Sequence, residues 1–301
     1  MTVSLRHILE HGPMLRALGA TAIGALRGAK PAAAAKPQAP GTWFEDEIKP
    51  PSDALVRTFV ATTGGDTASY RGVLPPQLFP QWALATASKA LATVPYPLAR
   101  IVNAGCRLDI RDRIPAGEPL VVRAQLASID ENESRVVLTT RIETGTRSSR
   151  DALVAELRAY VPLSNGERKK SKDHSEPPRV PLGVRELARA RLAANAGLDF
   201  AKLTGDFNPI HWIAPYARAA GFRGCILHGF GTFAIAASAV VRSQLSGDVG
   251  GLRSLDVRFT RPLLLPARVG TYVTTTGEIF VGDAPGGTAY LAGRYQIGDA
   301  R

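Results

Sequence analysis

Alternating apolar and polar positions mark two pairs of strands along the chain. In the first half Leu120–Leu126 and Val136–Ile142 alternate with a period of two. In the second half Gly270–Ile279 and Thr288–Ile297 do the same. Upstream of each pair lies an apolar, alanine-rich stretch, Gln81–Val94 and Gly229–Leu245, that reads as a helix. The second is apolar nearly all round through Phe230, Phe233, Ile235, Ala236, Val240 and Val241, the pattern of a buried helix. Gly247 supplies a C-terminal stop. Each half therefore predicts one buried helix followed by a meander of long antiparallel strands, an α+β layer arrangement with the helix on one face of a curved sheet.

The halves look like diverged copies of one unit. Arg107–Ala116 aligns without gaps on Arg258–Ala267, an offset of 151 residues. The polar, charged stretch Ser164–Pro178 closes with two prolines and reads as a linker. The expected organisation is an arm and linker over 1–41, a first unit over 42–163, a linker over 164–179 and a second unit over 180–301. Within the arm, leucines alternate with arginines, and its longest uncharged run, Ala17–Leu26, is too short to span a bilayer. A helix on a membrane surface, a removable targeting segment and a helix docked on the body all remain open for it.

Composition narrows the class. The 301 residues are 45% hydrophobic and 21% charged, as in a globular protein. The formal charge of +11 includes +4 in the arm and +2 in the linker, leaving +5 for the body. No aromatic–basic recognition motif accompanies it, so nucleic acid is not an expected partner. Cys106 and Cys225 lie far apart in apolar contexts and read as reduced, packed thiols. Five histidines without a Cys/His cluster suggest no metal. His7, His11 and His174, in arm or linker, are expected to be solvated.

The most informative stretch is Gly205-Asp206-Phe207-Asn208-Pro209-Ile210-His211. By residue type alone it is turn chemistry, with Asp and Asn capping the backbone and Pro fixing φ. A carboxylate and an imidazole five residues apart on a rigid loop can equally converge on one water or substrate proton. Seventeen residues after His211 comes His228-Gly229, opening the buried helix. The Gly229 N–H is one of the donors that a helix N-terminus leaves unpaired, and it can stabilise a developing oxyanion.

This pattern, with Ala219–Gly229 behind it, resembles the signature of the MaoC-like, or hydratase 2, family of hot-dog-fold enzymes. The resemblance covers about residues 195–245 and implies a double hot-dog fold. The activity it implies is reversible syn hydration of trans-2-enoyl thioesters to (3R)-hydroxyacyl thioesters in fatty-acid metabolism. The family's catalytic Asp and His fall on Asp206 and His211, its orienting Asn on Asn208 and its oxyanion glycine on Gly229. Which of Asp206 and His211 is acid and which is base stays open. The resemblance implies no cofactor beyond the CoA or acyl-carrier-protein handle of the substrate. Phe207 and Trp212 stand at variable positions and Cys225 replaces a commoner proline, departures that leave the chemistry intact.

The first unit lacks the same parts. Gly65-Asp66-Thr-Ala-Ser-Tyr-Arg71 keeps the Asp but has Ala68 for Asn208 and Arg71 for His211, and arginine stays protonated. Leu78-Phe79-Pro80 replaces Leu227-His228-Gly229, and proline has no N–H. The expected role of this unit is architectural: it completes a pseudo-dimer and lines an acyl tunnel, with Phe79 and Trp82 among the candidates and plain core packing as their alternative. Phe207 and His228 are further substrate-contact candidates; for His228 a backbone-satisfied helix start is the competing reading. Arg218, Arg223, Arg258 and Arg261 could meet CoA phosphates or a carrier protein. A homodimer of such chains and a cytoplasmic location, with peripheral membrane contact through the arm, complete the expectations. The competing functions are a thioesterase on the same fold and an acyl-thioester-binding subunit without turnover.

Overall fold

The computed structural model describes residues 3–12, 37–96, 101–163 and 178–298. Two helix-and-meander units share one ten-stranded antiparallel sheet. The first contributes β1 (Phe44–Ile48), β3 (Val102–Ile110), β5 (Leu120–Glu131), β6 (Arg135–Gly145) and β7 (Leu153–Pro162). The second contributes β8 (Arg185–Leu192), β9 (Leu252–Phe259), β10 (Ala267–Val273), β11 (Glu278–Gly282) and β12 (Ala289–Ile297). Their order, β1-β5-β6-β7-β3-β9-β12-β11-β10-β8, reads the same topologically from either edge. The two-residue strands β2 (Val73–Leu74) and β4 (Ile114–Pro115) form a separate ribbon.

The units meet where β3 lies antiparallel to β9. Cys106 faces Val257 there, and these two residues are separated by the 151-residue offset seen in sequence. A local two-fold passes through that pair, with Gly105 opposite Arg258 and Arg107 opposite Asp256 around it. Backbones crowd at this seam. A β-carbon on Gly105 would sit 2.3 Å from the Val257 carbonyl oxygen, so glycine is required for the approach.

Each sheet half carries its central helix on one face. In the first unit α1 (Asp53–Thr62) precedes α2 (Pro80–Leu91), which buries Trp82, Ala83 and Ala87 against strands whose inward set includes Leu120, Val122 and Ala124. In the second, α3 (Ala196–Thr204) and the short α4 (Ala214–Ala219) precede α5 (Gly229–Gln244), buried from Phe230 through Val241 as its composition requires. Gly247, at φ +88, closes α5 by donating to the Val241 carbonyl. Phe79 and Phe230, at the starts of α2 and α5, meet edge to face at 5.4 Å across the pseudo-two-fold.

Two expectations need correction. The alternating run Gly270–Ile279 is not one strand. β10 and β11 flank a turn at Thr274–Gly277, with Gly277 at φ +81, so periodicity alone ran through a hairpin. His7 and His11 are not solvated; each is 1% exposed. Residues 3–12 dock on the body through a short 3-10 turn, Leu5–Glu10, and the rest of the arm, from 13 to 36, lies outside the described residues, as do 164–177 of the linker with His174.

The docking rests on a buried ion pair. Lys202 Nζ lies 3.0 Å from Asp199 Oδ1, both side chains nearly inaccessible. Lys202 also donates to the Val3 carbonyl, and the Val3 N–H donates to Asp199. His11 Nε2 bonds the Lys202 carbonyl at 2.8 Å. Glu10 accepts from Ser52 N and Oγ at the start of α1. The segment thus ties α1 of one unit to α3 of the other. Asp199→Ala would leave the ammonium buried without its carboxylate and should cost about 3–5 kcal/mol. Asp199→Leu with Lys202→Met should lose clearly less. Urea unfolding compares them; an Asp199→Ala protein as stable as wild type would show that the pair does not hold the segment.

Candidate active site

The candidate loop begins where α3 must stop. Gly205 takes φ +80, a left-handed C-cap that donates to Ala201, and hands the chain directly to Asp206. Asp206 Oδ1 accepts from Asn208 N, and Asn208 Oδ1 accepts from Ile210 N, two successive Asx turns. Pro209 then opens the 3-10 turn that delivers His211. Gly197 is essential to this path: a β-carbon there would lie 2.0 Å from the His211 carbonyl oxygen. The capping role and the convergence on one point therefore coexist in the same residues.

His211 is buried, and its Nδ1 lies 2.9 Å from the Ile226 carbonyl. A carbonyl accepts only, so Nδ1 carries the proton, and in the neutral ring Nε2 keeps its lone pair. Burial holds the His211 pKa below its ordinary value, against the opposing charge of Asp206 and the Ile226 bond. His228 stacks on His211 with ring centroids 3.5 Å apart and an interplanar angle of 23°. Its Nε2 donates to the Asp206 backbone carbonyl at 2.9 Å, while its buried Nδ1 has no partner among the described residues. Full burial, then the adjacent His211, push the His228 pKa down to about 3. Both shifts favour the neutral ring.

Asp206 Oδ2 is 3.9 Å from His228 Nε2, and each of Asp206, His211 and His228 offers an atom within 4.8 Å of the others. Such a trio could hold a metal. His211 Nδ1 and His228 Nε2 are each committed to a backbone carbonyl, however, which leaves the Asp206 carboxylate and one free nitrogen per ring, a set that also suits a shared water or proton. The Gly229 N–H, first in α5, makes no hydrogen bond among the described residues and lies beside this cluster. A β-carbon at Gly229 would come within 2.7 Å of the Phe259 ring, which leaves room only for glycine.

Asp206, His211, His228 and Gly229 come together; the remaining candidates divide. Asn208 is exposed and acts on the loop backbone, and Phe207 is half-buried, its carbonyl bonded by Trp212. Phe79 reaches the site wall through Phe230. Trp82 is buried in the first unit, donating to Thr144 Oγ1. The Ile226 carbonyl, Phe259 and Gly197 were missed in sequence. Only Gly197, an exception inside an otherwise good helix, left a local trace.

The first unit keeps the frame without the chemistry. Asp66 Oδ1 accepts from Ala68 N, the counterpart of the Asp206 turn, and α2 starts on Pro80 where α5 starts on Gly229.

Residues 183–290 match the MaoC like domain family, and residues 52–157 match the FAS1-like dehydratase domain region. The 3-hydroxyacyl-thioester dehydratase Y of Mycobacterium tuberculosis is 29% identical over 185 residues, 59% of this chain and 63% of that protein. The peroxisomal enoyl-CoA hydratase 2 of Arabidopsis thaliana is 35% identical over 83 residues, 28% of this chain and 26% of its own. The chain thus spans less than two thirds of the length of these relatives. A Mycobacterium tuberculosis structure described as a double hotdog fold aligns with TM-score 0.57 at 14% identity, covering 87% of this chain and 97% of that one. By fold, then, the chain is a double hot-dog protein. Its second unit carries a match to the MaoC like domain and its first a match to the FAS1-like dehydratase domain region.

The neutral imidazoles set a pH dependence. An unfolded histidine titrates near 6.5, whereas His228 in the fold titrates near 3. Unfolding therefore takes up a proton in that window. Stability is complete above about pH 6.5 and falls as the pH drops toward 3, by about 1.4 kcal/mol per unit for each such group. His11 and His211 shift in the same direction. His228→Asn should flatten the slope by about one proton in urea titrations run across pH; an unchanged slope would mean that His228 is already charged in the fold.

Proposed function

We propose that the chain is an (R)-specific enoyl-thioester hydratase, acting in reverse as a 3-hydroxyacyl-thioester dehydratase in fatty-acid metabolism. The observation that carries this reading is the convergence of the Asp206 carboxylate and a neutral His211 beside the free N–H of Gly229. The names of the relatives point the same way.

In the hydration direction a water bound between Asp206 and His211 Nε2 adds its oxygen to C3. His211 suits the role of proton acceptor, because its Nδ1–H is committed to Ile226 and its Nε2 is free. The developing negative charge moves to the thioester oxygen, where the Gly229 N–H and the start of α5 stabilise it. The Asp206–His211 pair returns one proton to C2 on the same face, giving syn addition. Water addition needs no redox cofactor. Asn208 positions Asp206 and the turn rather than the substrate.

The thioester handle is a CoA or carrier-protein pantetheine. Residues 207–247 contain no carboxylate, while Arg218 and Arg223 are exposed on and after α4, so the rim beside the site favours an anionic handle. We place the protein in the cytoplasm. Leu5 and Leu9, 67% and 87% exposed on the docked N-terminal turn, support a peripheral membrane contact.

Crotonyl-CoA and dodecenoyl-CoA, assayed by loss of the enoyl absorbance, test the reading. Asp206→Asn and His211→Ala should each lower kcat about 10²–10⁴-fold. Full activity in either variant removes that residue from the mechanism. Release of free thiol from saturated acyl-CoA, without hydration, would establish the thioesterase alternative instead.

A further inference from the structure

The first unit has lost the groups that would do chemistry, yet its loop borders a cleft of unusual charge. One part, about 370 Å³, is walled by Val60 and Val73 and edged by Arg57 and Arg71. Arg71 occupies the loop position that His211 holds in the other unit. The adjoining part, about 310 Å³, shares Val73, adds Val249 and is edged by Arg111, Arg113 and Arg253. Five guanidiniums from α1, the degenerate loop, the β3–β4 connection and β9 thus edge two neighbouring depressions that share Val73 of the β2–β4 ribbon. Among the lining residues only Asp53 and Asp112 oppose them.

Most of that charge is uncommitted. Arg113 pairs with Asp248 at 3.1 Å. Asp112 spends its oxygens on Ser149 Oγ and the Arg113 N–H. Arg57, Arg71, Arg111 and Arg253 make no ion pair among the described residues. Four guanidiniums without an acidic partner among the described residues, three of them exposed, give the rim a surplus of positive charge that attracts anions. Guanidinium forks match phosphate oxygens two at a time, and valine walls suit the uncharged part of a larger ligand.

We propose that the cleft around the β2–β4 ribbon of the first unit, edged by Arg57, Arg71, Arg111, Arg113 and Arg253, binds an elongated anion carrying more than one phosphate, of the phosphorylated-nucleotide class, without turning it over. The substitution of arginine for histidine at position 71 converts the lost base into part of this site. The assignment goes beyond the hydratase reading and stands whether or not Asp206 is catalytic.

Calorimetric titration with 3′,5′-ADP and, separately, with inorganic phosphate tests it. The nucleotide should bind, more tightly than phosphate, and affinity should fall with added salt. Arg71→Gln with Arg111→Gln, both on exposed arginines, should weaken nucleotide binding at least tenfold with the melting temperature unchanged, and should do so equally in an Arg218→Gln, Arg223→Gln background, which removes the rim that a CoA handle would offer the same nucleotide. The proposal is overturned if the first pair binds as wild type does or if the second pair alone abolishes binding. It is overturned equally if neither anion binds at millimolar concentration, or if phosphate binds as tightly as the nucleotide.

Discussion

The structure hangs on the antiparallel pairing of β3 with β9. A half-sheet of five strands with one helix leaves an edge of unpaired amides and an open flank on the helix layer. Joining the two central strands at Cys106 and Val257 removes the β3 and β9 edges at once and brings the starts of the two central helices together. The contact of Phe79 with Phe230 follows from that pairing, and Phe230 is the residue next to the free Gly229 N–H. The site is therefore built on the helix of one unit but braced by the other. A first unit with Arg71 and Pro80 in place of the His and Gly of the second still has a structural reason to persist.

Burial decides what the site can do. Histidines at 211 and 228 would ordinarily titrate near neutral pH. Here both lie inside the protein, stacked, each with one ring nitrogen bonded to a backbone carbonyl. Removing water penalises the charged form of each, and His211 adds to the penalty on His228, while Asp206 opposes both shifts. The carbonyl bonds fix which nitrogen holds the proton. A neutral imidazole with a directed lone pair beside a partly exposed carboxylate is the outcome, and no single residue in the loop specifies it.

The distribution of signals in the sequence reflects how local each constraint is. Gly205 through His211 is one short segment, so its turn chemistry and spacing were readable, as was the buried character of α5. The 151-residue offset proved to be the register of the central strand pair, because a two-fold places equivalent residues opposite each other at its axis. Contacts between distant segments left no such trace. His7 and His11 look like tail residues until Lys202, some 190 residues on, supplies a carbonyl and an ammonium for the segment. The stack of His211 on His228 requires the loop 221–227 to fold back so that the Ile226 carbonyl meets His211. Alternation in Gly270–Ile279 continued through a hairpin because the turn residues happened to preserve the period.

Duplication explains why one half could change so far. In a symmetric dimer of identical chains, any substitution that blocks the oxyanion donor strikes both sites. Once the units are joined in a single chain, Pro80 can replace a helix-start glycine in one copy while Gly229 is kept in the other. Proline at the first helical position even stabilises that helix start, because its missing N–H had no partner there and its φ is preset. The Asx turn at Asp66 survives because it holds the loop, whereas the imidazole position, freed from proton transfer, came to carry a permanent cation. What the first unit shares with the second is the set of interactions that position backbone, and what it lacks is the imidazole and the helix-start N–H.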